Sequence, residues 1–354
     1  MIVGITGYGA TGASAYIDLL KEFEGIQSLP SSIEFQLLQQ QDGICDLKYY
    51  LVKAGRRLST NCILKRFQKN ILNPRIYNVN KITGGKYKSL TEEYFKKLVQ
   101  IQWQGKSGFD PVDIKSFYDV LSMRMVNRAI NKILRNINGK YGWPLPQKRY
   151  FSYFNEEEFD RITSEYLHGI LESLGFFNDS PIMLEQIFNT THPTEGMEYF
   201  DDARSLVIDR DPRDVYVISN MTMRSGASFM PNTGDVKDFV SYYRALHTPK
   251  SNDPRVIYLQ YEDLIYDYEQ TILKISELLG LKHVNKGAFF KPEYSINNTQ
   301  QYLKHPELEK EIQYIEEHLI DLLYPFDEKK SNITYTPKNV KAFDRQSDAD
   351  KKIQ

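Results

Sequence analysis

The chain has 354 residues, and its 45 Lys and Arg nearly balance its 46 Asp and Glu. A hydrophobic content of 41% and a charged content of 26% are typical of a globular protein and exclude a largely disordered one. No run of about 18 apolar residues occurs, which excludes a transmembrane helix. The start of the chain lacks the pattern of a secretory signal, and two cysteines indicate a reducing compartment, so we expect a cytoplasmic protein.

The near-neutral net charge hides a strong asymmetry. Residues 46–150 contain 22 Lys and Arg against 6 Asp and Glu. A segment with this excess of positive charge attracts anionic ligands. It has no zinc-finger, RNA-recognition or basic-zipper pattern, so we expect a nucleotide or an anionic glycan as partner and no nucleic acid.

The first predicted element is a strand at residues 1–6, followed at once by the loop GYGATGAS and an amphipathic helix. A strand, a glycine-rich loop and a helix together direct backbone N–H groups at phosphate oxygens. The spacing of Gly7, Gly12 and Ser14 matches the nucleotide P-loop, but Ala13 occupies the position of its lysine. The pattern predicts a phosphate-binding loop of unusual composition.

The basic segment is predicted to be largely helical, with helices at 44–54, 61–71, 90–102 and 114–137 and a loop at 142–149. In the last of these helices the basic residues form a single stripe, which is usual for a solvated face: Arg124, Arg128, Lys132 and Arg135. A clearer amphipathic helix follows at 157–174, and a strand is predicted at 182–188. His192 comes just after that strand, in the sequence TTHP.

A strand at 205–208 leads into the charged turn DRDPRD, and Pro212 suits the first turn of a helix. Arg210 therefore lies where a buried strand ends and a helix begins, the place where open α/β sheets bind ligands. A guanidinium there suits a phosphate, because it donates two parallel charge-assisted hydrogen bonds. The alternative is a solvated ion-pair cluster of Arg210, Asp211, Arg213 and Asp214.

The remaining pattern predicts a strand at 255–260 and helices at 236–247, 268–279 and 306–322. We therefore expect a three-layer α/β/α fold with a central parallel sheet and a P-loop-like N-terminal loop. Residues 1–325 would form one domain, with a helical basic insertion at about 40–150. Residues 326–354 lack apolar periodicity and would form a polar tail.

Three segments of the chain resemble segments of the sulfotransferases that use 3′-phosphoadenosine 5′-phosphosulfate (PAPS), and they occur in the same order along the chain as in that family. VIDRDPRDVYVIS is similar to the 3′-phosphate motif of that family, and LQYEDLIYDYEQTILKISELLGL is similar to its second strand-to-helix segment. GYGATGAS is similar to its 5′-phosphosulfate loop. The resemblance covers residues 1–24 and roughly 182–325, and it implies a PAPS-dependent sulfotransferase that needs no metal.

The resemblance also implies roles for individual residues. Arg210 would bind the 3′-phosphate with a serine; the family's spacing falls on Ile218, one residue before Ser219. Ser295 and Asn298 would belong to a loop that closes over the nucleotide. Backbone N–H groups of the N-terminal loop would surround the phosphosulfate: Gly9, Ala10, Thr11, Gly12, Ala13 and Ser14.

The family usually has Lys or Arg at the position of Ala10, and that cation stabilises the leaving oxygen. Candidates for a substitute come from the basic segment: Arg57, Lys65, Arg66 and Lys148. The acceptor hydroxyl must lose a proton, which requires a base whose pKa is near neutrality. TTHP resembles the stretch that carries the catalytic histidine in part of the family, which implies that His192 is the base. Carboxylates that could serve instead are Asp42, Asp46 and Glu185.

Abundant aromatic residues and the basic insertion favour a carbohydrate acceptor within polysaccharide biosynthesis. Two other interpretations remain open. A small-molecule P-loop kinase shares the N-terminal loop but would need the lysine that Ala13 replaces. A non-catalytic protein that binds nucleotides or anionic glycans would explain the missing cation at Ala10.

Overall fold

Short runs of apolar and β-branched residues form a five-stranded parallel sheet in the computed structural model of this chain. The structure describes residues 1–29, 33–70, 79–105, 110, 112, 116–138, 147–176, 180–222, 235–248 and 250–338. It divides into two units. We name Met1–Gln36 with Asn178–Gln354 the sheet unit, and Leu37–Phe177 the helical unit. The single domain with an insertion stays a prediction.

The strands within the described residues are β1 (Ile2–Gly7), β2 (Gln27–Ser28), β3 (Ile101–Gly105), β4 (Gln147–Phe151), β5 (Ile182–Glu185), β6 (Ala203–Asp209) and β7 (Val256–Gln260). The α-helices are α1 (Ala13–Leu20), α2 (Ile44–Lys48), α3 (Arg57–Asn70), α4 (Lys86–Leu98), α5 (Phe117–Asn138), α6 (Glu156–Ser173), α7 (Pro212–Val217), α8 (Val236–His247), α9 (Asp263–Tyr266), α10 (Tyr268–Leu279), α11 (Pro292–Ser295), α12 (Glu309–His318) and α13 (Phe326–Lys329). Two π-helical turns, Tyr49–Ala54 and Ile218–Thr222, continue α2 and α7.

In the sheet unit the strand order is β2-β5-β1-β6-β7, and every pairing is parallel. Ile2 of β1 pairs with Ile182 on one side and Ala203 on the other. Apolar side chains of β1, β6 and β7 share a core with α1, α9 and α10, and a second core joins α7, α8 and α12. Burial on both faces explains why these strands are continuous apolar runs. The predicted α/β fold with a central parallel sheet is confirmed.

The helical unit contains α2 to α6 and one antiparallel pair, β3 with β4. Here two predictions were wrong. The segment predicted as a loop at 142–149 includes the start of β4, in which Arg149 pairs with Trp103. The helix predicted at 90–102 ends at Leu98, because the chain turns there into β3.

The C-terminal part of the sheet unit also differs from expectation. The helix predicted at 306–322 is divided into α12 and flanking 3-10 turns. Residues 326–338 do not form a loose tail, since Phe326 is buried in the core and the Tyr335 hydroxyl donates to the carbonyl of Ile265. Positions 339–354 of the predicted tail lie outside the described residues. Across the parts of the chain that the structure describes, no helix has both the length and the apolar character needed to cross a bilayer.

Candidate functional site

Because all five strands of the sheet unit are parallel, their carboxyl ends lie at one edge of the sheet. β1 leads into the glycine-rich loop (residues 7–14), and β6 leads into the turn that contains Arg210. These two strands are neighbours, with Gly7 paired to Ile208 at their ends. The two segments predicted to bind phosphate therefore begin side by side, as the nucleotide interpretation requires.

The glycine-rich loop has three residues with left-handed backbone: Gly9 (φ 94°), Ala10 (φ 55°) and Gly12 (φ 80°). Two features exclude a side chain at Gly12. One is the left-handed conformation, and the other is the ring of Tyr261, whose Cδ2 would lie 2.4 Å from an added Cβ. Successive turns of this kind direct backbone N–H groups into one concavity that suits an anion. The conformation of the loop thus fits its predicted role.

Helix α1 begins at Ala13, directly after the loop. Its N-cap, Gly12, provides no side-chain acceptor for the first backbone N–H groups. Thr11 beside it is 2% exposed, and its hydroxyl has no hydrogen-bond partner within the described residues. Free N–H groups at a helix start, next to a buried polar atom, suit a phosphate or sulfate oxygen.

Arg210 is 3% exposed, and its guanidinium points at the glycine-rich loop. Nη1 donates to the carbonyl of Ala10 at 3.3 Å, and Nη2 donates to the carbonyl of Asn298. The ring of Tyr261 lies 4.8 Å from the guanidinium carbon. The structure thus brings together three residues predicted for the site, Ala10, Arg210 and Asn298.

Two buried carboxylates accompany Arg210. Asp214 Oδ2 lies 3.7 Å from Arg210 Nη2, while Asp214 Oδ1 accepts from the backbone N–H of Gln301 at 2.7 Å. Burial raises the pKa of Asp214 to about 6, although Arg210 acts in the opposite direction. Burial also raises the pKa of Glu262 well above its usual range. The alternative of a solvated ion-pair cluster is wrong in one respect, since these charged groups are buried.

Arg213 and Asp211 have a structural role in the same turn. The Asp211 carboxylate caps α7 by accepting from the N–H of Arg213 and pairs with the Arg213 guanidinium at 2.7 Å. Arg213 also pairs with Glu316 of α12 at 2.8 Å and lies over the ring of Tyr302. These two residues attach the turn to α12, whereas Arg210 contacts the glycine-rich loop.

Ser219 is fully buried, and its hydroxyl donates to the carbonyl of Val215 at 2.8 Å. It lies in the π-helical turn Ile218–Thr222, which accommodates one more residue per turn than an α-helix. The role of Ser219 as a phosphate ligand stays a prediction.

Ser295 ends α11, and its carbonyl accepts from the Tyr261 hydroxyl at 3.1 Å. Asn298 follows in a 3-10 turn and presents its carbonyl to Arg210. The segment that contains them therefore contacts both the β7 end and Arg210 through backbone groups. The predicted side-chain roles of Ser295 and Asn298 remain predictions.

His192 is exposed, and its Nδ1 lies 3.0 Å from the hydroxyl of Thr191. That hydroxyl in turn donates to Asn189 Oδ1 at 2.7 Å, so the ring belongs to a local turn after β5. The accessible position is compatible with a base that meets an incoming acceptor. The catalytic role of His192 stays a prediction.

Glu185 ends β5, where it pairs with Ile5 of β1 just before the glycine-rich loop. Burial, and then the negative charge of Glu34, raise the pKa of Glu185 to about 7, while Lys21 acts in the opposite direction. Of the carboxylates considered from the sequence, Glu185 lies at the strand edge that carries the loop and Arg210. Its pKa is the one expected of a general base at neutral pH.

One cluster at this edge was missed by sequence reasoning. The His247 ring is stacked between Tyr8 of the loop and Tyr243, with centroids 4.0 and 3.9 Å away. His247 Nε2 lies 2.9 Å from Asp209 Oδ1, which also accepts from the Tyr243 hydroxyl and from the backbone N–H of Arg210. The cluster joins the loop to the residue before Arg210. No local pattern marks His247, since it is the last residue of an ordinary amphipathic helix.

The other predicted cations and carboxylates belong to the helical unit. Lys65 pairs with Asp110 at 3.1 Å and Arg66 with Asp42 at 2.7 Å, whereas Arg57 and Lys148 are exposed. The Asp46 carboxylate accepts from the N–H of Asp42 at 2.7 Å. Which of the four cations substitutes at Ala10 stays open.

A comparison with known protein families covers two of the three segments that carry the resemblance, VIDRDPRDVYVIS and LQYEDLIYDYEQTILKISELLGL. Residues 114–285 match the model of the sulfotransferase family. No curated protein matches the chain. A crystal structure of retinol dehydratase in complex with androsterone and the inactive cofactor PAP shares 16% identity, with a TM-score of 0.27 over 94% of this chain and 70% of that one. A structural likeness at this level carries no argument about this chain.

Proposed function

We propose that this chain, whose residues 114–285 match the sulfotransferase family, is a member of that family and moves the sulfuryl group of PAPS to a hydroxyl or amine of a carbohydrate acceptor. The observation that carries the proposal is the contact between Arg210 and the glycine-rich loop, with Nη1 3.3 Å from the Ala10 carbonyl. One nucleotide with a 3′-phosphate and a 5′-phosphosulfate could therefore contact Arg210 and the glycine-rich loop at the same time. The site of a P-loop kinase would not require an arginine at position 210.

The residues present fit the donor. The left-handed loop and the uncapped start of α1 offer N–H groups to the phosphosulfate, and the buried Thr11 hydroxyl can join them. Arg210 would exchange its two backbone carbonyl partners for phosphate oxygens, which form stronger charge-assisted hydrogen bonds. Sulfuryl transfer resembles phosphoryl transfer, in which catalysis is mostly positioning and charge stabilisation. Arg210 also supplies positive charge beside Ala10, where the loop has none of its own.

Two residues are candidates for the base that removes the acceptor proton. His192 is supported by the resemblance of TTHP to the family motif and by its exposed ring. Glu185 is supported by its position at the end of β5 and by a pKa of about 7. The effect of Glu34→Gln on the pH dependence of transfer distinguishes them, because Glu34 raises the pKa of Glu185.

A carbohydrate acceptor is supported by the aromatic and basic composition of the helical unit. Exposed aromatic side chains suit sugar rings, and the basic excess suits a glycan that already carries negative charge. Polysaccharide biosynthesis in the cytoplasm is the setting that we propose for this activity.

The test combines nucleotide titration with transfer of labelled sulfate from PAPS to a panel of neutral and anionic glycans. Arg210→Lys removes the planar fork but keeps the charge, and we expect it to weaken binding of adenosine 3′,5′-bisphosphate at least tenfold. The matched control is Arg204→Lys at the opposite end of β6, where the side chain bonds to the Leu278 carbonyl. Unchanged nucleotide affinity in Arg210→Lys would contradict the proposed donor site.

A second candidate is a protein that binds the nucleotide without catalysis, and Ala10 in the position of the family's cation favours it. In that case the wild-type protein binds the nucleotide but transfers no label to any glycan. Phosphorylation of a small molecule by ATP would instead support the kinase interpretation.

A further inference from the structure

Helix α5 of the helical unit exposes most of its large apolar side chains. Phe117 and Tyr118 are 74% and 79% exposed, and Met125 is 66% exposed. Further exposed apolar residues are Leu121, Val126 and Ile133. The side chains buried on the opposite side include two asparagines, Asn127 and Asn131. Val120, Met123, Ile130 and Leu134 are half-buried on that same side, so the helix is apolar on both sides and leaves one of them in solvent.

At 3.6 residues per turn, the exposed apolar side chains cover about half of the helix circumference. We name them the apolar face of α5. Arg124, Arg128 and Lys132 are exposed and recur every fourth residue, so they form a stripe along the side of this face that begins with Phe117 and Leu121. The acidic residue of the described part of α5, Asp119, accepts from the backbone N–H of Ser116 at the helix start. The border of the apolar face is therefore positively charged.

We propose that the apolar face of α5 docks on an anionic lipid bilayer, with the helix lying in the plane of the membrane surface. Apolar and aromatic residues beside a basic stripe, at low overall hydrophobicity, are the composition of interfacial helices. Insertion would bury the apolar side chains among acyl chains, and the basic stripe would contact lipid phosphates. The charged residues within the helix exclude a transmembrane orientation for it.

The charge pattern argues against a second copy of this chain as the occupant. In a symmetric dimer the same patch faces itself, which would bring two basic stripes to one interface. Like charges at close range oppose such an association. An anionic surface instead complements the stripe along its whole length.

The test is flotation of the full-length protein with vesicles of phosphatidylcholine and phosphatidylglycerol at a ratio of about 7:3. We expect binding at low salt, and much weaker binding to pure phosphatidylcholine. Arg124→Gln/Arg128→Gln/Lys132→Gln should weaken binding to the anionic vesicles by about fivefold per charge removed. Leu121→Gln/Met125→Gln should weaken it at least tenfold through lost burial of apolar surface.

Matched controls change similar residues elsewhere. Leu303→Gln/Ile320→Gln removes two exposed apolar side chains of the sheet unit, and Lys86→Gln/Lys88→Gln/Lys96→Gln removes three exposed charges of α4. Both should bind like wild type, and circular dichroism verifies the fold of every variant.

Four outcomes would overturn the proposal. One is that the wild-type protein fails to float with anionic vesicles, and another is that both α5 variants float as well as wild type. The third is a dimer in analytical ultracentrifugation that Leu121→Gln/Met125→Gln converts to monomer, which would assign the apolar face to a second copy. Binding of polyglutamate in place of the vesicles, lost in the α5 variants, would assign it to an acidic polypeptide and equally contradict the proposal.

Discussion

The carboxyl group of Glu185 is affected by both burial and a like charge. Burial disfavours its ionised form, and Glu34 adds repulsion, which together raise its pKa to about 7. In the folded protein the protonated form is therefore favoured. The contribution of Glu185 to stability is present below its unfolded pKa and is lost as the pH rises through about 7. The rate of catalysis depends on pH in the opposite direction, because a general base must be ionised to accept a proton. A Glu185 base therefore becomes available as the pH rises through the same range.

The first prediction uses Glu34 to distinguish Glu185 from His192. Glu34→Gln removes the like charge, so it should lower the pKa of Glu185 and move the rising limb of the pH profile of kcat/KM to lower pH. Burial is the larger cause, so the midpoint should stay above the ordinary value of a glutamate. The measurement is the rate of labelled sulfate transfer from pH 5 to pH 9.

The control for this prediction is Glu24→Gln, which changes another exposed glutamate of the sheet unit. It should leave the midpoint where it is in the wild-type protein. If Glu34→Gln has no effect on the limb while His192→Ala abolishes turnover, then His192 is the base and the assignment to Glu185 is wrong.

At the scale of elements, the glycine-rich loop depends on backbone shape more than on side chains. Its N–H groups can converge only if Gly9, Ala10 and Gly12 keep their left-handed conformation. For Ala10 this conformation costs about 1–2 kcal/mol, because a Cβ crowds the carbonyl. The stacking of Tyr8 on His247 and the hydrogen bond from Arg210 to the Ala10 carbonyl help to hold it.

The second prediction is that Gly12→Ala weakens nucleotide binding at least tenfold. The added Cβ would lie 2.4 Å from the Tyr261 ring, so the loop or the ring must shift and the N–H groups diverge. Calorimetric titration with adenosine 3′,5′-bisphosphate measures the effect. Gly280→Ala is the matched control, since φ there is 66° and an added Cβ meets nothing within 4 Å. Gly280→Ala should lose about 1 kcal/mol of stability and keep the affinity of wild type.

The elements that the sequence predicts best are those whose pattern is local. Helices 236–247 and 268–279 have the predicted bounds, because each has a regular apolar face and a clear end. The strand β4 was missed because the burial of Arg149 depends on Asp110, a residue far away in the sequence. His247 was missed for the same reason, as its partners Tyr8 and Asp209 come from two other elements.

At the scale of the whole molecule, charge is distributed unevenly between the two units. The helical unit contains the basic segment, and its interior holds two cations on one carboxylate. Asp110 is buried and pairs with Lys65 and with Arg149, while Asn61 donates to it at 2.7 Å. Burial alone would raise the pKa of Asp110, but the hydrogen bond from Lys65 and the nearby charges lower it to about 2. This cluster joins α3 to β4, two elements that no local sequence pattern brings together.

The third prediction is that Asp110→Asn destabilises the helical unit by about 3–5 kcal/mol, because it leaves two buried cations without this carboxylate. Urea denaturation measures the loss. Glu92→Gln, which removes an exposed partner 3.9 Å from Lys88, should change stability by less than about 0.5 kcal/mol. Because the folded pKa of Asp110 is depressed, its stabilisation is present above its unfolded pKa and is lost as the pH falls through about 2. The difference between wild type and Asp110→Asn should therefore be constant from pH 5 to pH 8. A difference that vanishes at pH 5 would mean that the carboxylate titrates in this range and does not carry the buried charge.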